Sequence, residues 1–159
     1  MRDVQKWLTI ASNQIDRFRI AWVEMQNTLS KIPNGVRSGS AAEHKAWLKS
    51  QDLFFGERHF LFISLNNLFK AVEKAENQNQ LSGDTISDKE LKRDVTLLRH
   101  IHEHWDKETQ FAAKEFQQRH PEIDPSSITF QPFEKFEVGG VELNEIQSLI
   151  NRLENLFDA

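Results

Sequence analysis

The sequence predicts an all-α fold: a bundle of four or five helices, with a small hairpin or extended excursion near residues 126–140 before the last helix. Three observations predict it. Apolar residues recur at the 3.6-residue helical period through long stretches of the chain. Clusters of Pro, Gly, Asn and Ser separate those stretches. One segment alone, after Pro121, moves toward the two-residue period of a strand. At 159 residues the chain is read as a single helical domain, with a bundle over 1–121 and an acidic excursion plus C-terminal helix over 122–159.

The first segment, about 3–30, places Val4, Trp7, Leu8, Ala11, Ile15, Phe18, Trp22, Met25 and Leu29 at helical spacing and stops before Pro33-Asn34-Gly35. Ser38-Gly39-Ser40 extends that loop. From Ala41 to about Glu76 a second helical pattern follows, carried by Trp47, Leu48, Phe54, Phe55, Phe60, Leu61, Ile63, Leu65, Leu68, Phe69 and Val72. Gly56 reads as a break or close-packing point between two shorter helices. Asn77-Gln78-Asn79-Gln80 and Ser82-Gly83-Asp84 make the next loop. Ser87 and Glu90 match a capping box, so a third long helix begins there and runs through Leu91, Val95, Leu98, Ile101, Trp105, Ala112 and Phe116 to His120-Pro121. Ile128-Thr129-Phe130, Phe133, Phe136 and Val138 then approach alternation, with Gly139-Gly140 as a turn. Glu142 to Phe157 closes as an amphipathic helix with Leu143, Ile146, Leu149, Ile150, Leu153 and Leu156 on one side.

Composition removes several function classes. The absence of cysteine excludes thiol catalysis and Cys-ligated zinc. No stretch approaches the ~20 apolar residues of a membrane span, and the first residues lack the apolar core of a signal peptide, so the expectation is a cytoplasmic protein with no membrane partner. Twelve Phe and four Trp with no Tyr point to a dry aromatic core. The net charge of −4 is unevenly placed: over 122–159 eight acids face only Lys135 and Arg152, giving −6 there and +2 over the remainder. An anionic ligand therefore belongs on the N-terminal part rather than on the tail.

The chemistry concentrates on the third helix, where Arg99-His100-Ile101-His102-Glu103-His104 holds three of the six histidines. At about 100° per residue with Leu98 at zero, the helix's apolar residues span roughly 300° through 0° to 60°. His102, at about 40°, falls inside that arc and reads as a core histidine; Arg99, Glu103, His100 and His104, at about 100°, 140°, 200° and 240°, share a polar face. Histidine supplies a group that titrates near neutrality, and arginine a cation that binds phosphoryl oxygens in a bidentate way.

The same residues resemble the signature of the HEPN domains, small all-helical bundles that carry an Arg, then a polar residue, and a His after four to six intervening residues. The resemblance covers roughly residues 1–121. It implies a metal-independent RNA endonuclease, a toxin or defence component, with no cofactor and a composite site across a homodimer. RNA and an antitoxin or regulatory protein are the partners it implies. Arg99 and His104 take the motif's two fixed places, His100 takes the polar place, and Glu103 is placed to orient a histidine. Because Arg99 and His104 would stand about 140° apart on one helix, a symmetric pair of helices is part of the expectation.

Other readings of these residues stand beside it. Arg37 to His44 and Arg93 to His100 also match the spacing, and Arg93 with His100, nearly on one line of the helix, is a rival assignment. His100 to His104 matches H-x-x-E-H, the zinc motif of inverzincin peptidases, although no third ligand stands out beyond the generic Glu142 and Glu145. Arg99 with Glu103 is also a plain i,i+4 ion pair, and a non-catalytic helical partner-binding or regulatory module is the alternative function. His44, His59 and His120 read as surface or cap residues, and Arg58-His59 as a supporting pair.

Overall fold

The computed structural model describes residues 1–32, 39–81, 89–103, 107–123, 128–130, 136–138 and 141–157, with backbone alone at 103, 107–110, 128–130 and 136–138. The predicted all-α helical bundle is present. Its helices are α1 (Arg2–Ser30), α2 (Ala41–Asn77), α3 (Lys89–Glu103), α4 (Lys107–Arg119) and α5 (Leu143–Asn155). Between α4 and α5 lie β1 (Ile128–Phe130), β2 (Phe136–Val138) and β3 (Val141–Glu142). They form an antiparallel sheet in the order β1-β2-β3, with Phe130 opposite Phe136 and Val138 opposite both Ile128 and Val141. The expected excursion is thus a hairpin extended by a third short strand. Among the described residues no helix is long and apolar enough to cross a membrane.

The chain divides into two compact units, residues 13–61 and residues 1–12 with 62–159. In the first, the C-terminal part of α1 runs antiparallel to the N-terminal part of α2. Phe18 stacks on Phe54 at 5.0 Å and Trp22 tilts over the same ring at 5.7 Å. The buried Glu57 carboxylate accepts hydrogen bonds from Gln14 and, at 2.7 Å, from Arg17. Thr28 and Ser50 meet at 2.6 Å near the other end. α2 begins in a capping box that the sequence reading passed over as loop: the Ser40 amide and hydroxyl both donate to Glu43 at 2.7 Å, and the Glu43 amide donates back to Ser40 Oγ at 3.3 Å. Gly56 neither breaks α2 nor marks close packing, since the helix runs straight through it and a Cβ there would meet nothing within 4 Å. Phe54 is core, whereas Leu48, Phe55 and Phe60 of the expected apolar face are exposed.

The second unit holds the candidate site. α2 ends in a Schellman turn in which Asn79 takes φ 56°, Gln80 N–H donates to the Ala75 carbonyl and Asn79 N–H to that of Glu76, both at 2.9 Å. α3 returns antiparallel along the last third of α2: Lys92 pairs with Glu73 at 2.9 Å, Thr96 donates to Asn66 at 3.3 Å, and His102 stacks on Phe62 at 5.9 Å. The N-terminal turns of α1 lie along the same part of α2, with Asp3 paired to Lys74 at 3.2 Å. α5 buries Leu143, Ile146, Leu149, Ile150 and Leu153. Its C-terminal end shares a cleft with Gln5, Leu8 and Thr9 of α1, so the acidic tail is held in the unit by an apolar face.

The expected single helix over 87–120 is instead two. α3 stops at Glu103 and α4 folds back against it. Arg93 pairs with Glu115, and Arg119 with Glu90 and Asp94, so the two helices are antiparallel. The physical reason is burial: Leu97, which a continuous helix would leave outside the apolar arc, is covered along with Ala112 and Phe116. The Ser87 cap, the Pro33-Asn34-Gly35 breaker and the Gly139-Gly140 turn lie outside the described residues.

Candidate functional site

The α3–α4 hairpin positions the motif. Its open end is locked by charge: the buried Asp94 accepts from Arg119 Nε at 3.0 Å and pairs with His120 Nε2 at 2.9 Å. His120 also packs on the buried Phe116 at 4.9 Å and directly follows the last residue of α4, so it is a half-buried cap residue paired with Asp94. The closed end falls where α3 stops and α4 starts, which places His100 in the last turn of α3 and Arg99 just before it.

Of the predicted site residues, Arg99 and His100 are both half-buried, with Arg99 Nε and His100 Nδ1 shielded from solvent. Glu103 is the last residue of α3, its side chain outside the described set, and His104 lies outside the described residues altogether. The expected 140° separation of Arg99 and His104 therefore falls outside the described residues. His102 is half-buried against Phe62. Arg58 is buried over the Phe55 ring at 4.8 Å, and burial lowers its pKa to about 10. Among the described residues no group of three or more His, Asp or Glu is arranged to hold a metal ion.

What the structure does bring together is the rival pair. Arg93 and His100 line one cleft of about 250 Å³ between α3 and α4, with Thr96 on their side and Phe111 and Glu115 facing them. Arg93 Nε donates to Glu115 Oε1 at 2.6 Å and its Nη2 donates to Oε2, a bidentate pair. Those hydrogen bonds lower the Glu115 carboxyl pKa and raise that of the Arg93 guanidinium. The Phe111 ring is 76% exposed. Neither Glu115 nor Phe111 was among the candidate residues. Glu115 joins the cleft only because the chain reverses. Phe111 did carry a signal, since at about 220° on a continuous helix it stands with His100 outside the apolar arc.

A second surface lies in residues 13–61, where α1 exposes Ile20 (66%) and Val23 (40%) beside a groove of about 530 Å³ flanked by Arg19, Glu24 and Lys31. Comparison with protein-family models, curated proteins and solved structures finds no match.

Proposed function

We propose that this chain is a metal-independent RNA endonuclease of HEPN type, acting as a homodimer. The observation that supports the reading is the place of His100 in the last turn of α3, with Arg99 just before it, towards the closed end of a hairpin whose other end is tied by Arg119, Glu90 and Asp94. A rigid hairpin is what a site needs if cationic and imidazole side chains are to be held at fixed separation around a phosphate.

In the proposed reaction the neutral imidazole of His104 takes the proton of the 2′-hydroxyl as that oxygen attacks phosphorus. The P–O5′ bond breaks, and the departing 5′-oxygen takes a proton from the imidazolium of a second copy's site. A 2′,3′-cyclic phosphate and a free 5′-hydroxyl result. Arg99 binds the phosphoryl oxygens as negative charge accumulates, His100 supports it, and Glu103 orients an imidazole. Binding of an antitoxin or regulatory protein over this end would silence the site.

The test is cleavage of total RNA in EDTA by the full chain beside Arg99→Ala and His104→Ala. Each variant is expected to lose at least about 100-fold in rate, the lower range for removing an acid–base or charge-stabilising group. Absence of cleavage by the parent, or equal cleavage by all three, overturns the assignment. The exposed Ile20 and Val23 beside the α1 groove favour the second reading, a non-catalytic partner-binding module. That reading takes over if the parent chain leaves RNA intact.

A further inference from the structure

We infer that Phe111 is a stacking platform for a nucleobase of single-stranded RNA, with the Arg93–Glu115 pair and His100 forming the polar wall of the same subsite. The inference rests on the nuclease reading and specifies its substrate as unpaired rather than duplex RNA.

Three features carry it. Phe111 is 76% exposed, more than any other large apolar side chain described. It is also isolated: along α3 and α4 no other large hydrophobic residue is exposed among the described residues. A protein interface is built on a contiguous apolar core with a polar rim, whereas a lone ring beside charged groups suits a base, which offers a π-face to the ring and hydrogen-bonding edges to its neighbours. Finally, the ring's companions have the right chemistry. Two of the five Arg93 N–H groups bind Glu115, and the other three are not engaged among the described residues, so Arg93 presents donors while the Glu115 carboxylate presents acceptors. At about 250 Å³ the cleft is smaller than the roughly 300–1,000 Å³ of sites for drug-sized ligands and suits a single heterocycle. A base held there meets His100, the neighbour of Arg99 in the chain. Duplex RNA keeps its bases stacked inside the helix, where a protruding ring does not reach them.

The measurement is fluorescence anisotropy with a labelled short oligouridylate. The full chain carries His104→Ala so that the probe is not consumed, and Phe111 is left intact or replaced by Ala, Leu or Trp. Phe111→Ala is expected to weaken binding about 5- to 100-fold, Phe111→Leu to stay weak although apolar, and Phe111→Trp to bind at least as tightly as the parent. The matching abasic strand should bind all four proteins equally weakly. Thermal melts should be unchanged, because the ring is exposed. Unchanged binding on Phe111→Ala, or Leu restoring binding as well as Trp, overturns the inference. A change of oligomeric state on Phe111→Ala also overturns it, and identifies the ring as a protein contact. The two levels separate cleanly. If Arg99- and His104-dependent cleavage is found while Phe111→Ala binds normally, only the platform falls; if the parent neither cleaves nor binds RNA, the nuclease reading falls and the platform with it.

Discussion

Ser40 and Glu43 close the start of α2 on themselves, and the reciprocal hydrogen bonds leave a titration signature. Ser40's hydroxyl and then its amide hold the Glu43 carboxyl below its ordinary value of 4.5. A carboxyl whose folded pKa is depressed adds stability that is present above the unfolded value and lost as pH falls through the folded one. The Ser40 amide chemical shift is therefore expected to titrate with a midpoint below 4.5, and to stop titrating in Glu43→Gln. Ser40→Ala should cost about 1 kcal/mol in a thermal or urea melt. Ser38-Gly39-Ser40 reads as loop by composition, whereas Ser40 exchanges hydrogen bonds with Glu43 and caps the helix. Arg99 and His100 were legible because their residue types announce chemistry. Phe111 and Glu115 are ordinary residues that line a common cleft with Arg93 and His100 only when α4 is laid against α3.

That reversal is the main feature of elements that periodicity did not show. Extrapolated from Leu98 at about 100° per residue, Ala112 and Phe116 fall near 320° and 0°, in phase with the apolar arc of α3. Two separate helices thus share one apparent stripe, and neither Gly nor Pro stands at 104–106 to mark the stop. Elsewhere the elements were readable to within a few residues, because α1, α2 and α5 each carry a sustained 3.6-residue pattern bounded by breakers or by the sheet. Gly56 gives the sharpest element-scale prediction. It lies inside a 37-residue helix with open space around its Cβ direction, so Gly56→Ala removes backbone freedom from the unfolded chain without a clash. It should stabilise the protein by about 0.4–1 kcal/mol, measured as a shift in the urea midpoint at constant slope.

At the scale of the molecule, α5, whose apolar side was legible in the sequence, buries five apolar side chains within the unit that also holds α3 and α4. A chain stopped at Pro121 is therefore expected to lose cooperative unfolding and to bind 8-anilinonaphthalene-1-sulfonate, with size exclusion reporting self-association. A monomeric fragment with a single sharp melt would contradict this. The interrupted layout of that unit has a further consequence in time. Met1–Ser12 leaves the ribosome before the rest of its unit, and Val4, Leu8 and Ala11 belong to a core whose last helix ends at Asn155. At about 5–20 residues per second the wait is about 7–30 s, whereas residues 13–61 form a contiguous unit whose parts all emerge early in that interval. During synthesis the N-terminal turns are an apolar strip awaiting its counterpart, the kind of surface that nascent-chain chaperones hold.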